Sequence, residues 1–204
     1  MSLLTKIDHP LVEHHLCTVR DKSTSCSEFR TAIERLAVLV GVYATEDLIT
    51  QPTTIQTPIA AADCHKLAMP IGLVPILRAG LGMVHPLQNL LPDASVWHLG
   101  LYRNEETAEP VGYYDKLPSR GAPSVALVLD PMLATGNSSI ASIEKLKERG
   151  ARNIRFLCLL AAPEGLRNFQ AAHPDVPIYT ASIDSHLNEQ GYIVPGLGDA
   201  GDRM

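Results

Sequence analysis

Residues 124–138 read SVALVLDPMLATGNS, an apolar run that ends in an aspartate and passes through small residues into a helical pattern. A short, continuous apolar run is typical of a strand buried on both faces of a parallel sheet. Four more runs alternate with helical stretches, at 71–77, 95–102, 154–160 and 178–183. This alternation predicts an α/β fold with a doubly wound parallel sheet. We expect functional residues at the carboxyl ends of the strands, where such sheets bind ligands.

The remaining stretches predict further elements. Residues 27–49 have apolar positions at helical spacing, which predicts an amphipathic helix with Ser27 as its N-cap. Residues 50–66 combine β-branched residues with prolines and predict an edge hairpin or a loop. Residues 1–26 are mostly polar and predict an irregular N-terminal arm. Other helices are predicted over about 81–91, about 138–150 and about 163–172.

The composition limits the functional classes. The chain has 204 residues, of which 46% are hydrophobic and 19% charged, and its formal net charge is −5. This composition excludes intrinsic disorder, and one domain of this length buries a sizeable core. An acidic chain has no overall attraction for nucleic acid, whose binding depends on cations that neutralise phosphates. Since the sequence shows neither a secretory pattern nor a membrane-spanning apolar run, we expect a cytoplasmic protein without a membrane segment.

The richest candidate site follows the apolar run that ends at Leu129. Asp130 comes first, and a loop of small residues leads from it into a helix. Small residues let backbone N–H groups approach an anion, and a helix start adds partial positive charge. The hydroxyls of Thr135 and Ser138 add hydrogen-bond donors. The pattern predicts a phosphate site beside a carboxylate that accepts hydrogen bonds from ribose hydroxyls; an ordinary strand–helix turn is the alternative.

Three other segments carry candidate residues. Arg78 follows a strand between small residues and suits a bidentate contact with phosphate, with a surface salt bridge as the alternative. Arg103 lies at the root of an excursion to about residue 120, which predicts either a lid over the same anion or a solvated hairpin. The glycine-dense segment 191–202 predicts an irregular loop that recognises a small planar ligand through its backbone.

Five blocks of the chain, in order, resemble the uracil phosphoribosyltransferase family over about residues 7–203. They are 74–83 (VPILRAGLGM), 102–107 (YRNEET), 130–136 (DPMLATG), 161–165 (AAPEG) and 192–203 (YIVPGLGDAGDR). The resemblance implies a type I phosphoribosyltransferase fold with a small C-terminal hood and a protruding hairpin. It implies one domain over 1–204, with an N-terminal arm at about 1–26, a lid hairpin at about 103–120 and a uracil-binding hood at about 184–204.

The resemblance also implies a reaction and a set of site residues. The 5-phosphoribosyl group of 5-phosphoribosyl 1-diphosphate would pass to N1 of uracil, giving UMP and diphosphate. The implied catalytic residues are Arg78 and Arg103 on the diphosphate and Asp130 on the ribose hydroxyls. The implied contacts to the activated sugar are Arg78, Arg103, Asp130, Pro131, Met132, Leu133, Ala134, Thr135, Gly136, Asn137, Ser138 and Asp199. The implied contacts to uracil are Ile193, Gly198, Asp199 and Ala200.

The resemblance extends to cofactor and partners. It implies Mg²⁺ on the substrate diphosphate rather than on protein side chains, GTP as a possible effector, and a homodimer or higher homo-oligomer. The family usually has a glycine where this chain has Asn137. Because asparagine tolerates the left-handed backbone conformation better than other non-glycine residues, we expect the loop to survive this change.

Three alternatives stay open at this point. One is a phosphoribosyltransferase for another base, since the phosphate site would be shared and only the segment 192–202 favours uracil. The second is a nucleotide-sensing relative that binds RNA, which the acidic net charge disfavours. The third is an inactive paralogue, for which the substitution at Asn137 is an argument.

Overall fold

The computed structural model describes residues 3–103, 110–115 and 123–204, and gives only the backbone at 101–103 and 110–115. The described helices are α1 (Pro10–Arg20), α2 (Cys26–Ala44), α3 (Leu81–Leu90), α4 (Asn137–Glu148), α5 (Pro163–Ala172) and α6 (Ala200–Arg203). The described strands are β1 (Leu4–Lys6), β2 (Thr50–Gln56), β3 (Ala61–Leu67), β4 (Ile71–Leu77), β5 (Ser95–Val96), β6 (Leu99–Arg103), β7 (Pro110–Asp115), β8 (Val125–Leu129), β9 (Met132–Leu133), β10 (Ile154–Ala161), β11 (Ile178–Ile183), β12 (His186–Leu187) and β13 (Ile193–Val194).

The main sheet confirms the predicted doubly wound architecture. Its strand order is β1-β11-β10-β8-β4-β6-β7, with β5 beside β4 and β9 beside β10. The described pairs are parallel except β6 with β7. The chain goes from β4 to β6 on one side of β4 and returns to β8 on the other. Such a reversal opens a crevice outside the carboxyl ends of β4 and β8, where ligands of α/β proteins bind.

Both faces of the sheet are covered by helices, which explains the continuous apolar runs. Successive residues of a strand point to opposite faces. Leu127 and Leu129 of β8 pack in the cluster that contains α1, α2 and α3, whereas Ala126 and Val128 pack in the cluster that contains α4 and α5. Cys158 of β10 is fully buried in the second cluster, as the sequence predicts. None of the described helices is long and apolar enough to cross a bilayer.

The N-terminal segment corrects the prediction of an irregular arm. β1 pairs in parallel with β11 at the edge of the sheet. α1 begins at a proline, after His9, whose ring accepts a hydrogen bond from the N–H of Leu11. Its buried face consists of Val12, His15, Leu16 and Val19, of which three are apolar. So few buried apolar positions give a weak periodic signal, and packing against α2 decides the helix.

Several element boundaries also differ from the sequence prediction. α2 is capped by Ser25 rather than Ser27, through reciprocal hydrogen bonds between Ser25 and Glu28. It ends at Ala44, because the chain then turns towards the hairpin. That predicted hairpin is confirmed: β2 and β3 pair antiparallel and form a sheet of their own. The run at 95–102 is divided into β5 and β6.

The C-terminal segment is more regular than its glycine content predicts. β12 pairs antiparallel with β13, and Asp199 caps the one-turn helix α6. Each of these two strands has only two residues, which is too short for a periodic pattern in the sequence. We call residues 184–204 the hood. Its backbone includes three left-handed glycines: Gly191, Gly196 and Gly198.

Candidate active site

A cleft of about 250 Å³ opens beyond the carboxyl end of β8, at the reversal of strand order. We call it the central cleft. It is lined by the segment after β4, the segment after β8 and two segments of the hood. The lining residues are Ala79, Asp130, Met132, Ala134, Gly191, Tyr192, Ile193, Gly198, Asp199, Ala200 and Gly201. The fold therefore brings the predicted ribose-binding carboxylate beside the segment predicted to recognise uracil.

Asp130 is the most perturbed ionisable group of this cleft. It follows the last residue of β8, and its Oδ1 accepts a hydrogen bond from the N–H of Met132 at 3.2 Å. Burial raises the pKa of Asp130 to about 7, the hydrogen bond from Met132 opposes that rise, and the charge of Asp199 adds to it. A carboxyl group with a raised pKa in a cleft is a candidate for function.

Backbone hydrogen bonds tie the predicted phosphate loop, residues 132–138, and Pro131 before it to β10 and to the residue after that strand. The carbonyl oxygen of Pro131 accepts hydrogen bonds from the N–H groups of Leu159 and Leu160, both at 3.0 Å. The carbonyl oxygen of Leu133 accepts one from the N–H of Ala162 at 2.9 Å. The side chain of Leu133 is buried in the core. These bonds give the loop a fixed path, with its alternate residues Met132 and Ala134 on the central cleft.

The left-handed position at the end of the loop belongs to Gly136. Its φ is +89°, and it is the N-cap of α4. Asn137 is the first residue of that helix, so its tolerance for a left-handed conformation is not used, and the expectation that the loop survives the change to asparagine stays a prediction. Ser138 also lies in α4, and its carbonyl oxygen accepts a hydrogen bond from the hydroxyl of Ser142 at 2.7 Å. The loop thus ends at the start of a 12-residue helix, where the helix dipole adds partial positive charge.

Helix α5 packs against the phosphate loop. A Cβ atom at Gly165 would lie 2.2 Å from the carbonyl oxygen of Ala134 and 2.8 Å from that of Leu133, so only glycine allows this approach. Nδ2 of Asn168 donates a hydrogen bond to the carbonyl oxygen of Thr135 at 3.0 Å. Only the resemblance points to the block 161–165, and the close contact of Gly165 with the loop gives the physical reason for its glycine. Sequence reasoning missed Asn168, because nothing local distinguishes it.

Arg78 lies outside the central cleft, in an adjoining cleft of about 340 Å³. The two clefts share Ala79 and Gly201. The side chain of Arg78 is exposed, the peptide bond before it is cis, and Arg30 of α2 lines the same cleft. In the part of the chain that the structure describes, no ion-pair partner of Arg78 is found. Glu34 also lines this cleft, and the assignment of Arg78 to a phosphate stays a prediction.

The second predicted arginine falls mostly outside the described residues. The backbone of Arg103 ends β6, and β6 pairs antiparallel with β7. The side chain of Arg103, and residues 104–109 and 116–120 of the predicted lid, lie outside the described part. The lid and the role of Arg103 therefore stay predictions.

Seven hood residues line the central cleft, and three of them are glycines: Gly191, Gly198 and Gly201. Ile193 and Ala200 line it, and each is buried, with relative exposures of 4% and 2%. Asp199 is exposed, and its Oδ1 accepts a hydrogen bond from the N–H of Asp202 at 3.0 Å. Tyr192, which was not predicted as a site residue, also lines the cleft and is 49% exposed. An aromatic residue within a glycine-dense segment was the available signal for Tyr192.

Comparisons with known proteins show what this chain is similar to. The family model described as uracil phosphoribosyltransferase matches residues 6–204. A uracil phosphoribosyltransferase of Rhizobium etli is 56% identical over 100% of this chain and 98% of its own length. One of Brevibacillus brevis is 51% identical with the same coverage. A solved structure of an Aquifex aeolicus protein is 34% identical, covers 98% of this chain and 96% of its own, and superposes with a TM-score of 0.92.

A more distant solved structure shows the shared fold alone. The purine phosphoribosyltransferase of Pyrococcus horikoshii is 17% identical, with a TM-score of 0.51 over 78% of this chain and 89% of its own. At this level of identity the similarity shows the parallel sheet with its helices and nothing about the residues of the site.

Proposed function

The chain belongs to the uracil phosphoribosyltransferase family, and from that premise we propose how its residues divide the work of the reaction. The enzyme transfers the 5-phosphoribosyl group of 5-phosphoribosyl 1-diphosphate to N1 of uracil and releases diphosphate, as a step of pyrimidine salvage. The bond from ribose C1 to the diphosphate oxygen breaks, the bond from C1 to N1 forms, and the N1 proton is released. The central cleft carries the proposal, because Asp130 and the uracil-recognising hood residues line it together.

We place the ribose and its 5′-phosphate at the segment after β8. The ionised carboxylate of Asp130 accepts hydrogen bonds from the ribose hydroxyls, and the phosphate loop holds the 5′-phosphate near the start of α4. The tie of the loop to β10 and its contact with α5 keep these groups fixed. The catalytic benefit is chiefly positional, because a held ribose presents C1 to N1 in the orientation for attack.

We place the diphosphate towards the adjoining cleft, within reach of Arg78. As the leaving group departs, negative charge develops on the diphosphate and positive charge develops at C1. Cationic groups that face the diphosphate stabilise this charge where it appears. We assign this role to Arg78, and to Arg103 from the resemblance. The predicted lid at about 103–120 would exclude water, which would otherwise hydrolyse the activated sugar.

The donor set at the clefts fits Mg²⁺ held mainly by the substrate. Asp130 and Asp199 offer the hard oxygen ligands that Mg²⁺ prefers. Over residues 3–103, 110–115 and 123–204, no group of three or more His, Cys, Asp or Glu side chains is placed to hold a metal ion. Mg²⁺ commonly binds through one or two carboxylates together with substrate phosphates. When bound to the diphosphate, the ion would neutralise charge on the leaving group.

We propose that uracil lies against the hood and is recognised through backbone groups of Ile193 and Gly198–Ala200. Uracil and cytosine exchange donor and acceptor at N3 and C4, so a fixed set of backbone groups accepts only one of them. The wrong base would leave buried polar groups without partners, which costs binding free energy. Tyr192 adds an aromatic surface to the same part of the cleft.

We also propose an assembly, a regulator and a cellular location, which the family resemblance and the sequence first suggested. A homodimer or higher oligomer is supported by the hairpin of β2 and β3, which forms its own sheet and exposes Ile55 and Ile59 with relative exposures of 39% and 95%. A lone hairpin is marginally stable in water, so a covering partner would stabilise it. GTP as an effector rests on the resemblance alone. A cytoplasmic location is supported by four free cysteines, because a reducing compartment preserves thiols.

The test of the function is UMP formation from uracil and 5-phosphoribosyl 1-diphosphate with Mg²⁺. Cytosine, hypoxanthine and orotate are assayed in parallel, with and without GTP, and sedimentation gives the oligomeric state. We expect turnover with uracil alone. Turnover with another base would assign the enzyme to that base. A folded protein that binds the activated sugar and turns over none of the bases would contradict the enzymatic function and favour a sensor or an inactive paralogue.

A further inference from the structure

Recognition through backbone groups requires that those groups stay in place. Of the proposed uracil-recognising residues, Ile193 begins the two-residue strand β13 and Ala200 begins the one-turn helix α6, while Gly198 and Asp199 lie in the segment between them. Such connecting segments are the mobile parts of most folds. Ile193 and Gly198 stand on either side of the left-handed Gly196. What holds Gly196 therefore sets the positions of both sides of this loop. We call residues 193–199 the base loop.

The backbone of Gly196 is held by the ion pair of Arg20, at the end of α1, with Asp184, at the start of the hood. Nη1 of Arg20, the last residue of α1, donates to the carbonyl oxygen of Gly196 at 2.9 Å. The N–H of Gly196 donates to Oδ2 of Asp184 at 2.9 Å. Arg20 and Asp184 also contact each other, with Nη1 to Oδ2 at 2.8 Å and Nη2 to Oδ1 at 2.6 Å. Both polar backbone groups of Gly196 are thus bound by the two members of one bidentate pair.

Burial and a further hydrogen-bonding partner, Ser182, fix the geometry of this ion pair. The side chain of Asp184 is 2% exposed and that of Arg20 is 25% exposed. The hydroxyl of Ser182 donates to Oδ1 of Asp184 at 2.8 Å and accepts from Nη2 of Arg20 at 3.1 Å. Burial alone would raise the pKa of Asp184, but hydrogen bonds from Arg20, Ser182 and Gly196 hold that pKa below its usual range. The carboxylate stays ionised at neutral pH and accepts all its hydrogen bonds.

The backbone conformation and close packing at position 196 require glycine. Its φ is +62°, and a Cβ atom there would lie 2.1 Å from the carbonyl oxygen of Ile193. On the other side of Gly196, Nη1 of Arg203 donates to the carbonyl oxygen of Leu197 at 2.7 Å. Arg203 also donates to the carbonyl oxygens of Val19 and Asp21 and lies over the ring of Phe29. The end of α1 and the base loop are therefore one connected unit.

We infer that Arg20 and Asp184 are positioning residues that set the specificity and affinity of the enzyme for uracil, an inference that rests on the proposed function. Neither residue lines the central cleft. They act through Gly196, by fixing the backbone that carries Ile193 on one side and Gly198 on the other. Loss of the pair would let the base loop relax and would misplace its hydrogen-bonding groups, without altering Asp130, Arg78 or the phosphate loop.

The test compares Arg20→Met with a matched variant of another ion pair. Arg155, which is 6% exposed on its side chain, donates to the carbonyl oxygen of Ala44 and to Asp47 near the amino end of β10, away from the clefts. Arg155→Met therefore removes the same kind of contact far from the hood. Steady-state kinetics give KM for uracil, KM for 5-phosphoribosyl 1-diphosphate and kcat, and thermal unfolding gives the Tm of each variant.

We expect Arg20→Met to raise KM for uracil by about tenfold or more, since displacement of a binding group by about 1 Å is enough for such a loss. KM for 5-phosphoribosyl 1-diphosphate should change by less than about twofold, and the preference for uracil over cytosine should fall. Arg20→Lys should recover part of the affinity, because lysine keeps the charge but loses the bidentate fork. Arg155→Met should lower Tm and leave KM for uracil unchanged.

Each result decides for or against the inference. If Arg20→Met changes both KM values equally, or lowers Tm alone, the pair has only a structural role and the inference is wrong. If Arg20→Met fails to fold, Arg20→Lys and Ser182→Ala carry the same comparison of the two KM values. A wild-type protein that forms no UMP contradicts the proposed function. A wild-type protein that forms UMP, with variants whose KM for uracil is unchanged, contradicts this inference alone.

Discussion

The carboxyl groups of Asp130 and Asp199 line one cleft, and the charge of Asp199 adds to burial in raising the pKa of Asp130 to about 7. Asp130 arrives from the end of a buried strand, whereas Asp199 caps the last helix of the hood. Two carboxylates in one cleft repel each other and favour a cationic ligand between or beside them. The proposed ligands would offset this repulsion. Mg²⁺ on the diphosphate adds positive charge, the ribose hydroxyls donate hydrogen bonds, and both stabilise the ionised carboxylates.

The first prediction concerns the pH dependence of catalysis. Because the ionised form of Asp130 accepts hydrogen bonds from ribose hydroxyls, kcat/KM for 5-phosphoribosyl 1-diphosphate should rise with pH through about 7. Asp199→Asn removes a charge that raises the pKa of Asp130, so the rise should move to lower pH. Asp130→Asn should abolish the rise together with most of the activity. A pH–rate profile of the three proteins tests this, and an unshifted profile for Asp199→Asn would contradict it.

The second prediction concerns stability without ligands. The pKa of Asp130 is about 7 in the folded protein against an ordinary value of 3.8. The folded state therefore favours the protonated form, so the stability from this group is complete below pH 3.8 and is lost as pH rises to about 7. Asp130→Asn, which cannot ionise, should gain Tm over wild type progressively across that range. A constant Tm difference between the two proteins at all pH values would be inconsistent with the raised pKa.

The third prediction separates two arginines of one cleft. Arg78 and Arg30 both line the adjoining cleft and both are exposed. Arg78→Ala should lower kcat by about 100-fold, because a group that stabilises leaving-group charge is lost. Its Tm should hardly change, since an exposed side chain is removed. Arg30→Ala, whose guanidinium bonds the carbonyl oxygen of Met204, is the matched control and should keep kcat within about threefold. Equal losses in the two variants would argue against the assignment of Arg78 to the diphosphate.

The fourth prediction concerns the contact between α5 and the phosphate loop. Gly165→Ala introduces a Cβ atom that clashes with the carbonyl oxygens of Ala134 and Leu133. The loop must shift, so KM for 5-phosphoribosyl 1-diphosphate should rise by about tenfold or more. Gly150→Ala is the control: its φ of +86° makes the substitution costly, but no atom lies within 4 Å of the added Cβ. That variant should lose stability by about 1 kcal/mol and keep its KM values.

The fifth prediction addresses Asn137, where the family usually has glycine. Since Asn137 is the first residue of α4 and the left-handed position belongs to Gly136, Asn137→Gly should not change the path of the loop. We expect kcat/KM within about twofold of wild type and a loss of stability of about 0.5 kcal/mol, from the lower helix propensity of glycine. Steady-state kinetics and thermal unfolding measure both. A gain in kcat/KM of tenfold or more would mean that the asparagine side chain obstructs the phosphate.

The sequence by itself determined the parallel sheet, the order of its strands along the chain, and the position of Asp130 at a carboxyl end. These features are local: a strand buried on both faces has to be continuously apolar, and the residue after it has to emerge at the edge of the sheet. The resemblance of five blocks supplied the reaction and most of the candidate residues. The prediction failed where the local signals were weak, as in α1 and the two-residue strands of the hood, and at element boundaries such as the cap of α2 at Ser25.

The tertiary structure alone decided which residues meet. Arg20 and Asp184 are 164 positions apart, and nothing near either of them in the sequence indicates that they pair around Gly196. The support of the phosphate loop by Gly165 and Asn168 is equally invisible in the sequence. The physical reason is that periodic burial is fixed within a few residues of chain, whereas hydrogen bonds between distant segments depend on how the packed helices and strands place them.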